Sequence, residues 1–152
     1  MKKKKQILLI LFFMALIMSC NSTGGATVSS FSEVLGKEWK LVEIQIDSTP
    51  TNKIVLNNTG SVYTTNFNAE MVSGTGAPNK YSAPYTLGEI NSLKIGLIRS
   101  TLMAPIIQQD KLQEHDFYTY MQNVEKWNMD NGKLVLYSKV ENGNTVRLIF
   151  VP

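Results

Sequence analysis

Apolar and polar residues alternate along much of the chain after residue 37, which is the pattern of β-strands with one buried face. The alternation is strongest from Glu38 to Ile46 and is disturbed only at Leu41-Val42. Asn-Gly pairs at 131–132 and 142–143 stand between alternating runs and predict two hairpin turns. The pattern predicts strands at 38–46, 53–56, 80–87, 92–98, 125–129, 133–138 and 145–151, one or two more within 62–72, and a turn at 88–91.

The segment from 108 to 124 has a helical period instead. Its apolar residues Leu112, Phe117, Tyr120, Met121 and Val124 recur at spacings of mostly three to five, which predicts one amphipathic helix. Pro105 suits the first turn of that helix. A meander of strands with one late helix is typical of an α+β domain with antiparallel pairing. We expect a single core, formed by Trp39, Leu41, Ile44, Phe117, Met121, Leu134, Leu136, Leu148 and Phe150.

The first 20 residues have the features of an export signal. Four lysines precede an uncharged apolar run, Ile7 to Met18, which is too short for a membrane-spanning helix. Ile17-Met18-Ser19-Cys20 then resembles a lipobox, the cleavage and lipidation signal of bacterial lipoproteins. Cys20 is the only cysteine, so an internal disulfide is impossible. We therefore predict a signal peptide at 1–19 and a lipid, carrying acyl chains such as palmitate, on Cys20.

Removal of residues 1–19 changes the charge of the chain. The four lysines of that segment leave with it, so 11 of the 15 basic residues remain against 12 acidic ones. A near-neutral surface argues against nucleic acid as a partner, and the predicted membrane contact is the lipid. Residues 20–30 are small and polar and predict a flexible tether, followed by one domain at 31–152. Asn21 is not the aspartate that retains some lipoproteins at the inner membrane, which favours the outer membrane.

Reactive groups are sparse, and we predict no catalytic residue, metal site or cofactor. His115 is the only histidine and lies between two acids on the predicted helix, where a solvated surface role is expected. A G-x-S-x-G elbow is missing from the sequence. One histidine and one lipidated cysteine leave no plausible zinc or copper site. Gly74-Thr75-Gly76 is interpreted as a turn, because no strand–loop–helix unit with a lysine follows it.

Several stretches, in this order and spacing, resemble the META domain, the family that includes the HslJ-like bacterial lipoproteins. They are Leu35-Gly36-x-x-Trp39-x-Leu41, Gly74-x-x-x-x-Asn79-x-Tyr81-x-x-x-Tyr85, Thr101-x-Met103-Ala104, Glu114-x-x-Phe117, Gly132-x-Leu134-x-Leu136 and Leu148-x-Phe150. Pro78 and Pro105 stand where many members carry cysteines, so the disulfide that those cysteines are placed to form in relatives is missing here. Ala77 and Ala83 replace expected glycines, which predicts a changed loop shape.

The resemblance implies a strongly curved, mostly antiparallel sheet, close to a half-open barrel, packed on one α-helix. It implies a non-catalytic envelope lipoprotein in envelope maintenance or stress tolerance. Two alternatives stay open: a binding module for a lipid or small apolar ligand, and an inhibitor or partner of an envelope enzyme. A hydrolase is the weakest alternative. The family-like residues either line one site near the helix start or hold the loop and helix start together; they are Asn79, Tyr81, Thr101, Met103 and Glu114.

Overall fold

The computed structural model describes residues 30–46, 53–56, 63–103, 112–140 and 143–152. The predicted signal segment, Cys20 and Pro105 lie outside these residues, so the predictions made for them stay predictions. In chain order the described elements are a 3-10 helix (Phe31–Glu33), β1 (Glu38–Ile46), β2 (Lys53–Val55), β3 (Tyr63–Phe67), β4 (Met71–Gly76), β5 (Lys80–Leu87), β6 (Leu93–Ile95), β7 (Arg99–Ser100), α1 (Glu114–Gln122), β8 (Val124–Asp130), β9 (Lys133–Lys139) and β10 (Thr145–Val151).

The strands form one sheet in the order β6-β5-β4-β3-β1-β10-β9-β8, with β2 added to β1 and β7 added to β5. Every pairing between these strands is antiparallel. The two ends of the sheet meet, because Ser92 bridges to Lys126 and the backbone N–H of Trp127 donates to the Asn91 carbonyl at 3.0 Å. The sheet is therefore a nearly closed barrel with one α-helix, which confirms the predicted fold class.

Strand β1 shows why the alternating pattern has its one irregularity. The pairing of β1 with β10 shifts register between Leu41 and Glu43, which is a β-bulge at the predicted disturbance. The bulge lets both Leu41 and Ile44 face the core, and each is fully buried. Trp39 is buried on the same strand, and its indole N–H donates to the Val34 carbonyl at 2.9 Å. This bond ties β1 to the segment that follows the 3-10 helix.

The hairpin at 130–132 has the turn chemistry that its sequence predicts. Asn131 and Gly132 have φ values of 50° and 77°, so both central residues are left-handed, as a type I′ turn requires. At the second predicted hairpin, Gly143 has φ 83° and its N–H donates to the Val140 carbonyl at 2.8 Å. Residues 141–142 of that turn lie outside the described part of the chain.

The prediction of a helix at 108–124 is wrong at both ends, because the helix that the structure describes is shorter. Helix α1 begins at Glu114, because Gln113 is extended, with φ −85° and ψ 148°. It ends at Gln122, and Val124 already pairs with Ser138 as the first residue of β8. Likewise, the strand predicted at 92–98 is shorter, since β6 ends at Ile95. With nine residues, α1 is too short to cross a membrane, and the described residues contain no other candidate helix.

The core lies between the sheet and α1 and contains all nine residues predicted for it, each no more than 1% exposed. Phe117 of α1 lies at its centre, with ring centroids 5.0 Å from Tyr63 and 5.7 Å from Tyr81. Phe31 of the 3-10 helix also packs here, against Phe67 and Trp127, and was not predicted. The interior of the barrel is thus filled by side chains.

Candidate functional site

Four of the five family-like residues meet where three elements converge. Asn79 immediately precedes β5, Thr101 follows β7, and Glu114 is the first residue of α1. Met103 lies two residues after Thr101. We call Asn79, Thr101, Met103 and Glu114 the Asn79 cluster.

The side-chain amide of Asn79 makes four hydrogen bonds inside this cluster. Its NH₂ group donates to Glu114 Oε2 at 2.9 Å and to the Met103 carbonyl at 3.2 Å. Its oxygen accepts from Thr101 Oγ1 at 2.9 Å and from the Met103 N–H at 2.6 Å. Two donors and two acceptor positions are all that an Asn amide offers, so the group is fully satisfied within the fold.

Glu114 extends the cluster to the helix. Its Oε1 atom accepts from the Asn79 backbone N–H at 3.2 Å and from the Tyr118 hydroxyl at 2.9 Å. Burial and the bond to Glu114 raise the pKa of Tyr118, because both disfavour the phenolate. A carboxylate in the first turn also interacts favourably with the helix dipole. Glu114 therefore fixes the start of α1 to the β4–β5 connection.

Tyr81 and the side chain of Met103 do not join these polar contacts. The Tyr81 hydroxyl points away from the cluster and donates to the Thr64 carbonyl at 3.0 Å. Burial raises the pKa of Tyr81, whose ring packs against Phe117 and Tyr118. Met103 contributes its backbone groups, while its side chain is half exposed. The four residues of the Asn79 cluster therefore join the β4–β5 loop, the segment after β7 and the start of α1, while Tyr81 packs in the core beside them.

The loop before Asn79 shows why glycine, which the resemblance leads us to expect at position 77, would suit that position. Ala77 has φ 51°, a left-handed conformation that glycine adopts freely and alanine adopts at a cost. Gly76 is required for a different reason, since a Cβ atom there would lie 2.5 Å from the Tyr118 hydroxyl oxygen. Tyr118 can therefore pack closely against this loop only because residue 76 has no side chain.

His115 is exposed on the first turn of α1, one residue from the cluster. The neighbouring carboxylate, Glu114, is bonded to Asn79 and Tyr118 as described above. Among the residues that the structure describes, no group of three or more histidine, cysteine, aspartate and glutamate side chains could hold a metal ion.

A second candidate site, at the closure of the sheet, was not predicted. A groove of about 500 Å³ lies along β8 and β9 beside the turn that joins β5 to β6. This volume is in the range of small-molecule sites. We call it the β8–β9 groove; its lining residues are Ile90, Asn91, Glu125, Lys126, Trp127, Asn128, Tyr137, Ser138, Lys139 and Thr145. Its two lysines, Lys126 and Lys139, lie on strands whose sequence alternates between apolar and polar residues. In such a strand an exposed lysine predicts only a solvated face, so the sequence did not indicate the groove.

The turn that borders the groove is strained. Ile90 and Asn91 have φ values of 51° and 60°, and a left-handed backbone is rare for a β-branched residue. The Ile90 side chain is 91% exposed at the rim of the groove. Asn91 is held in place because its carbonyl accepts from Trp127 N–H across the sheet closure. Strain of this kind is commonly retained at binding sites.

Comparison with known proteins agrees with this architecture. The model of the META domain family matches residues 32–150, which is nearly the whole described domain. An NMR structure of a protein from Burkholderia xenovorans is similar in fold, with a TM-score of 0.56 and 15% sequence identity over 78% of this chain and 84% of that chain. No curated protein matches the sequence. The match over residues 32–150 shows that this chain belongs to the META domain family.

Proposed function

We propose that this chain is a non-catalytic lipoprotein of the cell envelope that acts in envelope maintenance or stress tolerance. The observation that carries the proposal is the Asn79 cluster. The polar residues typical of the family bond to one another and to backbone groups, so they serve the fold and are not held free for chemistry. A lipid on Cys20, which the lipobox-like sequence predicts, would hold the domain at a membrane, and the outer membrane is favoured.

The test is to follow processing and location of the protein together. Mass spectrometry of the N-terminal peptide should find Cys20 as the first residue, carrying acyl chains. Cys20→Ala should leave the chain as uncleaved precursor or release it from the membrane fraction, and Ser22→Ala is the matched control in the same tether. An N-terminus at another residue, with no acyl mass, would contradict the anchoring part of the proposal.

The assignment to envelope maintenance is tested by a deletion strain. We expect deletion to increase sensitivity to detergents or envelope-active antibiotics. The wild-type gene should restore growth, and so should His115→Ala, whereas Cys20→Ala should not. Loss of rescue by folded His115→Ala would instead support an enzyme.

A binding module is a second candidate, and the β8–β9 groove favours it. The filled barrel interior argues against an apolar ligand inside the sheet, because Trp39, Phe117 and Phe150 are each no more than 1% exposed. The groove lies at the surface instead, and its lining combines polar side chains with the apolar surfaces of Ile90, Trp127 and Tyr137. Any ligand of this domain is therefore expected on the outside of the barrel.

A further inference from the structure

The β8–β9 groove has an excess of positive charge on a chain that is near neutral without its signal segment. Lys126 and Lys139 line the groove and are exposed, and Glu125 is the one acidic residue in the lining. The ammonium group of neither lysine forms an ion pair or hydrogen bond with another residue that the structure describes. Unpaired cations beside a concave surface attract and concentrate anions.

The strand register gathers these cations around one aromatic residue. Tyr137 on β9 pairs with Lys126 on β8 and with Arg147 on β10. Lys139 is two residues further along β9, so it shares the face of Tyr137. Directly paired side chains on one face have Cβ atoms about 5 Å apart. Tyr137 is therefore bordered by a positive charge on three sides.

One buried donor on the face of Tyr137 has no partner among the described residues. Arg147 pairs with Tyr137, and its Nε is buried and unpaired. Buried polar groups are normally satisfied, so this donor calls for an acceptor or a bridging water. The Ser138 hydroxyl also makes no hydrogen bond, but Ser138 is the neighbour of Tyr137 on β9, so its side chain lies on the opposite, core-facing side of the sheet. The unpaired Arg147 Nε therefore suits an oxyanion beside Tyr137.

The neutral groups of the groove suit a ligand with hydroxyl groups. Asn91, Asn128 and Thr145 line it and offer amide and hydroxyl groups, which both donate and accept hydrogen bonds. The volume of about 500 Å³ exceeds the need of a bare inorganic anion. The cationic cluster would then hold the charged end of the ligand and these groups its hydroxyl-bearing part.

We propose that the β8–β9 groove binds a phosphate monoester of a small polyol, with the phosphate beside Lys126 and Lys139. The charges agree with this class. Lys126 and Lys139 in the lining, together with Arg147 on the adjacent strand, carry three positive charges and Glu125 carries one negative charge, a net charge of +2. A phosphate monoester carries about −1.5 to −2 at neutral pH. The ester is either a soluble metabolite or a lipid headgroup, and the inference does not depend on the lipid anchor.

The full chain in neutral detergent micelles is titrated and followed by its backbone amide resonances. Lys126, Tyr137 and Lys139 line the groove, whereas Trp39 is buried and bonded to Val34, so the amide resonances of the first three should shift and that of Trp39 should not. Glycerol phosphate tests a soluble source, and micelles doped with dihexanoyl phosphatidic acid test a headgroup. Glycerol and dihexanoyl phosphatidylcholine are the controls. Saturable binding of either ester supports the proposal and identifies its source.

Substitutions locate the site. Lys126→Gln and Lys139→Gln should each weaken binding roughly tenfold, and Glu125→Gln should strengthen it several-fold. Lys133→Gln, an exposed lysine on β9 outside the groove, is the matched control and should leave the affinity unchanged. The proposal is overturned if neither ester shifts the amide resonances of Lys126, Tyr137 and Lys139 in folded protein. It is equally overturned if Lys133→Gln weakens binding as much as Lys126→Gln does.

Discussion

Replacement of Asn79 should destabilise the domain far more than replacement of an ordinary surface asparagine. Asn79→Ala removes four hydrogen bonds from a side chain that is 4% exposed. A neutral hydrogen bond contributes about 0.5–1.5 kcal/mol and one to a charged group about 1.5–3 kcal/mol. Water can replace the bonds of exposed Thr101 and Met103, so we expect a loss of about 2–4 kcal/mol. This is a large part of the 5–15 kcal/mol that is typical of a domain.

Equilibrium unfolding in urea, followed by tryptophan fluorescence, measures this loss. Asn123→Ala is the matched control, because Asn123 is exposed at the end of α1 and its side chain makes no hydrogen bond with the described residues. That variant should lie within about 0.5 kcal/mol of the wild type. If Asn79→Ala is as mild as the control, the cluster does not hold the fold together.

A charge at the same position separates hydrogen bonding from packing. Asn79→Asp keeps the size of the side chain but places a carboxylate against Glu114 Oε2, where the wild type has a donor. Two adjacent carboxylates raise the pKa of one of them above the ordinary value of about 4. The stability lost by Asn79→Asp should therefore be smallest below about pH 4 and grow as pH rises. A loss that does not change with pH would refute the electrostatic part of this reasoning.

Four further variants or conditions test other parts of the structure. Phe117→Ala should cost about 3–5 kcal/mol in urea unfolding, since the ring is fully buried. Ala77→Gly should stabilise by about 0.5–1 kcal/mol in the same assay, because φ is 51° there. His115→Ala should change the unfolding free energy by less than about 0.5 kcal/mol, as expected for an exposed side chain. Burial raises the pKa of Tyr63 to about 12 and also raises that of Tyr118, so unfolded tyrosines ionise first. Stability linked to them should be complete below about pH 10 and decrease as pH rises towards 12, and Tyr63→Phe should reduce this slope.

The local pattern of apolar and polar residues was sufficient to predict the strands whose residues alternate between buried and exposed. The bounds of β1, β5 and β10 agree with prediction because one face of each strand packs on the core over much of its length. The helix was less predictable. Leu112 and Val124 fit the helical period, but they are buried in other ways, Leu112 before the helix and Val124 in β8. Apolar residues that continue the helical period along the sequence need not lie in the helix itself.

The two candidate sites differ in how much of each could be predicted from the sequence. Asn79, Thr101 and Glu114 were identified as a group by resemblance to the family, and the structure joins them by hydrogen bonds. The β8–β9 groove depends on closure of the sheet between Asn91 and Trp127, a contact between segments far apart in the chain. Such a contact leaves no periodic signal in either segment.

The pairing of β1 with β10 has a consequence for the time at which the domain can fold. Leu41 pairs with Phe150, so the first long strand of the domain has its neighbour at the far end of the sequence. A chain that emerges N-terminus first cannot complete this sheet until β10 has been made, and pairings so distant in sequence form slowly. For a protein translocated as proposed, the unfinished chain would stay unfolded long enough to be threaded through a secretion pore. The strand order thus delays completion of the sheet until the last strand of the domain has been made.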